Sequence, residues 1–221
     1  MENFKKQIEQ IIDTTFKTIE GIYNYREDVK NLEAGSIIFP KKRDGTFRIS
    51  EQELRFLFVS ILINKIKNKE LSYDNKPIYY SVETPTVGSY SFKGDKALSG
   101  NIDLVIHGGY PLKRICLIEF KAHNVVFKND YEKLYNELNH IANDVDKVHF
   151  EERYDENACG YFVQLLTNSD SGTANSIIDK KKKYEEADKY KYKANKFFHI
   201  CFSLKQGKYL VGEIKPENTE K

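Results

Sequence analysis

SGNIDLVIHGGYPLKRICLIEFKAHN, residues 99–124, holds two apolar runs, and each carries charge where a buried strand should have none. Asp103 sits inside IDLVI, and Glu119 and Lys121 close ICLIEFK. These are the segments best suited to be core strands. An ionised group buried there without a partner loses several kcal/mol of hydration. Either the charges pair as a structural ion cluster, or they hold something that makes burial worthwhile.

Side chains alternate across a strand, so Glu119 and Lys121 share one face with Ile115 and Leu117, and Phe120 takes the other. The charged pair therefore belongs at the strand's end, where a sheet face meets solvent or a cleft. With NIDLVI (101–106) paired beside it, Asp103 converges on the same place. Two carboxylates and one ammonium compose a metal-and-water site. They supply hard oxygen ligands for a hydrated divalent cation and a lysine to polarise or orient an attacking water. The acid-x-Lys triplet alone means little, because it recurs at Asp28/Lys30, Asp74/Lys76, Asp179/Lys181 and Glu213/Lys215. Only Glu119/Lys121 ends a buried run that follows another acid-bearing strand.

The 221 residues suit one large domain, or a domain with an appendage, and suffice for a real core. With 35 basic and 33 acidic residues the chain has no uniformly basic coat, which still leaves room for a local basic groove. Cys116, Cys159 and Cys201 lie in apolar runs without CxxC spacing, which predicts small buried thiols in a reducing cytosol rather than disulfides or a zinc knuckle. The N-terminus reads as an amphipathic helix and not a signal peptide, and LRFLFVSILI is too short to span a bilayer. A soluble, cytoplasmic protein without a membrane partner is expected.

Phe4, Ile8, Ile11, Ile12, Phe16 and Ile19 recur at helical spacing over 2–25. A turn-rich link with Gly35, Pro40 and the basic run Lys41, Lys42, Arg43 follows. Ser50 opens a second helix, SEQELRFLFVSILINKIKNK, apolar enough for a buried position. Strands are expected at 78–83, 101–106 and 114–122, a helix over 130–148 and a buried strand at 158–167. A lysine-rich helical stretch at 175–193 then precedes FFHICFSL and KYLVGEI, which the Gln206-Gly207 turn joins as an antiparallel hairpin. Meandering strands followed by a crossover helix imply an α/β fold with a mixed sheet. Residues 1–49 are expected to form an N-terminal helix and linker packed on a 50–221 domain.

Taken in order, "GNIDLVI" and "LIEFK" resemble the PD-(D/E)XK nuclease superfamily over roughly 50–167. That superfamily has a restriction-endonuclease-like core of helix, three strands, helix and strand, with an Asp on the second strand and Glu-x-Lys on the third. Here Ile102 stands in place of the motif's proline. The resemblance implies Mg²⁺-dependent phosphodiester hydrolysis, with Mn²⁺ as a substitute. Asp103 and Glu119 would be the metal ligands, with Lys121 beside the nucleophilic water. It favours DNA as substrate, cleavage to a 5′-phosphate and a 3′-hydroxyl, and by analogy a role in restriction, repair or phage defence. A homodimer fits the class equally.

Glu53 is either the first-helix acid that many such nucleases use or the last member of a capping box with Ser50. Glu83 either lines the cleft or is a satisfied strand-end charge. His123 shares the face of Glu119 and Lys121 and is a candidate phosphate contact or an exposed strand-end histidine. Lys128 and Lys133 flank the crossover helix, and Lys180, Lys181, Lys182 and Lys183 form a run. All six are candidate nucleic-acid contacts, as is the Lys41–Arg43 cluster, against plain solvated surface. The rival function is a non-catalytic nucleic-acid-binding or interaction module on the same fold.

Overall fold

The computed structural model describes residues 2–25, 30, 32, 35–45, 47–86, 90–91, 97–98, 100–122, 130, 133–135, 137–138, 153–167, 179, 196–212 and 214. His123, Lys128 and Lys180–Lys183 lie outside these, as does nearly all of the lysine-rich stretch 175–193.

Helix α1 (Glu2–Asn24) forms because its apolar residues recur every three or four positions, and it buries Phe4, Ile8, Ile11, Ile12, Phe16, Ile19 and Ile22 along one stripe. Helix α2 (Glu51–Lys67) starts at the Ser50 N-cap and ends with Lys65 and Lys67 in its last turn, where cations suit the carbonyl end. Its apolar content predicts a buried position, and Leu54, Phe58 and Leu62 are buried, while Phe56 is 63% exposed. The helix lies on one face of a sheet, so a single i, i+4, i+8 stripe reaches the core.

Strand β1 (Ile78–Pro85) precedes a two-stranded ribbon of β2 (Tyr90–Ser91) and β3 (Ala97–Leu98), which sequence patterning does not reveal. β4 (Asn101–Gly108), β5 (Lys113–Lys121), β6 (Tyr154–Leu166), β7 (Phe197–Ser203) and β8 (Lys208–Val211) complete the chain order. The main sheet runs β1-β4-β5-β6-β7-β8. β1, β4 and β5 pair antiparallel as a meander, β5-β6 and β6-β7 pair parallel, and β7-β8 is the expected antiparallel hairpin. Parallel neighbours need a crossover between them. Asp130, 133–135 and 137–138, within the crossover from β5 to β6, are helical. The α/β class with a mixed sheet is thus present.

Strand alternation sorts the core into two layers. Leu104, Ile106, Ile118, Phe120 and Val163 share one cluster with α1 and α2, so α1 is part of the same core as the sheet. Val105, Leu117 and Phe162 pack on the other side with Leu134, Tyr135 and Leu138 of the crossover. Each such buried side chain contributes about 1.5–3 kcal/mol. Gly160 lets the crossover close on β6, because a Cβ there would meet Leu138 Cδ1 at 2.5 Å. Covering both faces is why β4 and β5 read as nearly unbroken apolar runs. The three cysteines are free and buried, as expected. Among the described residues no helix is long and apolar enough to cross a membrane.

Candidate active site

β4 and β5 pair with Leu104 opposite Ile118, so Asp103 and Glu119 are the next residues along their two strands. On the other side of β4, Val82 and Thr84 of β1 pair with Leu104 and Ile102, which sets Glu83 level with Asp103. Three adjoining strands therefore bring an acid to the same end of the sheet. Lys121, the last residue of β5, lies in register with Gln164 of β6.

Glu119 is 1% exposed, and its charge is met by Lys133, whose Nζ stands 2.5 Å from Oε1. Lys133 is itself buried. It donates to the Asn101 carbonyl at 2.5 Å and lies 3.7 Å from Asp130 Oδ1. Gly100 makes room for its stem, because a Cβ at that position would fall 2.6 Å from Lys133 Cδ. Burial and then the neighbouring Asp103 charge push the Glu119 carboxyl well above its usual range. Lys133 pulls the other way, and Asp130 adds to the rise.

Lys121 reaches two carboxylates at once, Glu51 Oε2 at 3.2 Å and Asp130 Oδ2 at 3.3 Å. Burial favours its neutral amine. The carboxylates of Asp130, Glu51, Asp103 and Glu119 outweigh that and raise its pKa, so it stays an ammonium. Asp103 is fixed from two sides: the Phe120 N–H donates to Oδ2 at 2.7 Å, and Arg55 Nη1 lies 3.6 Å from Oδ1. Arg55 also pairs with Glu83 and so ties α2 to both β1 and β4. Glu83 has φ +47°, a left-handed backbone that non-glycine residues adopt at a cost.

Asp103, Glu119, Lys121 and Glu83 are thus brought together around shared partners. Glu53 is engaged elsewhere, accepting from the Ser50 N–H at 2.7 Å and from the Ser50 hydroxyl in the capping box. Burial raises its pKa, but the Ser50 contacts and Arg48 win and leave it lowered. The α2 acid that meets the cluster is Glu51. Lys133, expected toward nucleic acid, points its ammonium inward at Glu119. Glu51, Arg55 and Asp130 were not singled out by sequence. The usable signal was helical spacing, since Glu51 and Arg55 are four apart on one face of α2, and Asp130 and Lys133 are three apart.

Compared with known proteins, the chain matches no family model, no curated protein and no solved structure. Among the described residues no group of three or more His, Cys, Asp and Glu side chains is arranged to hold a metal. A divalent cation here would rest on the two carboxylates Asp103 and Glu119. That number suits Mg²⁺, which binds through one or two carboxylates and keeps several waters. Burial first, and then the Asp103 charge, raise the Glu119 pKa, and a cation held by both carboxylates would offset the second of these. The residues present fit the ion, with Lys133 and Arg55 as the charges it must compete against.

Proposed function

We propose that the chain is a metal-dependent nuclease of the PD-(D/E)XK type that hydrolyses phosphodiester bonds, DNA in preference to RNA. One observation carries this: Asp103, Glu119 and Lys121 meet at one end of two adjacent core strands, with Glu51 at the start of α2 and Asp130 of the crossover closing round the lysine. The run of α2, β1, β4, β5, crossover and β6 supports the restriction-endonuclease-like core. Asp103 and Glu119 would hold Mg²⁺, which supplies charge neutralisation at the phosphate and a more acidic bound water. Asp103 is held in place by the Phe120 amide, so it presents its carboxylate without rearrangement. Lys121, kept cationic by Glu51 and Asp130, orients the attacking water and faces the developing negative charge. The products would carry a 5′-phosphate and a 3′-hydroxyl. Restriction, repair or phage defence in the cytoplasm is the setting we propose.

A second function has an observation of its own. Glu119 is matched by Lys133, and Lys121 by Glu51 and Asp130, as in a structural ion cluster on a non-catalytic nucleic-acid-binding module. Incubation with plasmid, linear duplex, single-stranded DNA and RNA in Mg²⁺, Mn²⁺ or EDTA separates the two. The nuclease cuts at least one substrate with metal and none in EDTA, and Asp103→Asn removes both cutting and the thermal stabilisation by Mg²⁺. Binding without cutting under every condition favours the module.

A further inference from the structure

Beside the acid–lysine cluster, past the C-terminal ends of the parallel strands β5 and β6, lies a cleft of about 330 Å³. Ala122, which follows Lys121, and Thr167, which follows β6, line it together with Glu51, Lys42, Phe47 and Arg48. Glu51 is the shared boundary, because the same side chain meets Lys121 at 3.2 Å. Ends of parallel strands are where open α/β sheets place ligands, and the volume lies at the small end of natural ligand pockets.

The cations are mounted on a closed turn. Lys41 and Phe47 form an antiparallel bridge, the Gly45 N–H donates to Lys42 O at 3.0 Å, and the Arg48 N–H donates to Pro40 O at 2.8 Å. Lys42 and Arg48 leave this turn exposed. Among the described residues that line the cleft Glu51 is the one carboxylate, and it already faces Lys121, so Lys42 and Arg48 leave the lining net positive. Two cations and an aromatic ring next to a hydrolytic site match one chemical class, a phosphodiester with its attached sugar and base.

We infer that this cleft seats the phosphodiester next to the one that is cut, with Lys42 and Arg48 matching its charge and Phe47 lying against the sugar or base. The inference rests on the nuclease function proposed above and adds the path of the strand. The substrate enters between the 41–47 turn and the first turn of α2.

Lys42→Gln/Arg48→Gln is compared with wild type in binding a fluorescein-labelled DNA duplex in EDTA over a range of salt. The dissociation constant should rise at least about tenfold, and the slope of log K on log salt should become shallower by about 1.8, two contacts at about 0.9 each. Lys67→Gln/Lys69→Gln, at the far end of the 17-residue α2 and about 25 Å away, removes equal charge and should change the slope far less. Wild-type affinity and slope in the cleft variant overturn the inference while wild type still binds and cuts. An equal loss in the far-end variant overturns it too. A wild type that neither binds nor cuts any nucleic acid overturns the nuclease function itself.

Discussion

Lys121 Nζ lies 3.2 Å from Glu51 Oε2, which joins the last residue of a core strand to the first residue of α2. The Ser50 cap fixes where that helix begins and therefore which acid arrives. Glu53 turns back to Ser50, and Glu51 turns to the lysine.

The two acids should separate by mutation. Glu51→Gln should lower single-turnover cleavage about ten- to hundredfold by letting Lys121 drift, the scale on which small misplacements act. Glu53→Ala should instead cost about 0.5–2 kcal/mol of stability through the broken capping box and leave cleavage near wild type. Urea unfolding and cleavage measured on both variants decide the assignment; the reverse pattern would return Glu53 to the site.

Lys133 pairs with Oε1 of Glu119, so a metal held by this carboxylate would meet an ammonium already in place. Lys133→Met leaves a buried carboxylate without its cation and should destabilise the metal-free protein by about 3–5 kcal/mol. It should also tighten Mg²⁺ binding at least about tenfold, because the ion no longer competes with an ammonium. Calorimetric titration reads this directly, and unchanged or weaker binding would detach Glu119 from the metal.

Backbone strain at Glu83 makes a prediction that runs against ordinary strand preference. Glu83→Gly and Glu83→Ala both lose the Arg55 contact and differ only in backbone freedom. At φ +47° glycine should be the more stable by about 1 kcal/mol, although glycine normally weakens a strand. A more stable alanine variant would show that the left-handed conformation is not held in solution.

Stability should also depend on His107, which accepts or donates at Nε2 to Ser81 Oγ over 2.8 Å. Burial, then Arg114, lowers its pKa from 6.5. Below 6.5 the unfolded chain takes up a proton that the folded chain resists. Unfolding free energy therefore falls as the pH drops from 6.5 toward the lowered value and levels off beneath it. His107→Gln should flatten the part of the profile that falls below pH 6.5. Identical profiles would mean that the ring titrates alike in both states.

The strands, the hairpin and the meeting of Asp103 with Glu119 were legible because period-two alternation and chain order specify them. Glu51 was hidden, because a capping box draws attention to Glu53 and nothing local says which first-turn acid faces a strand 70 residues away. Sequence placed Lys133 toward nucleic acid for the same reason. Its partner, Glu119, lies across a crossover, and long-range pairing of charges leaves no periodic trace. The ribbon of β2 and β3 is only two residues per strand, too short for alternation to register.

The most direct test of the central claim is single-turnover cleavage by Lys121→Ala and Lys121→Met, with melting temperature taken on the same samples. The carboxylates left behind, Glu51 and Asp130, are 33% and 30% exposed, so water re-solvates them and the stability loss should stay within about 1 kcal/mol. Cleavage should fall at least about a hundredfold in both variants, while Mg²⁺ and DNA still bind. Wild-type rates in folded Lys121→Ala and Lys121→Met would contradict the account.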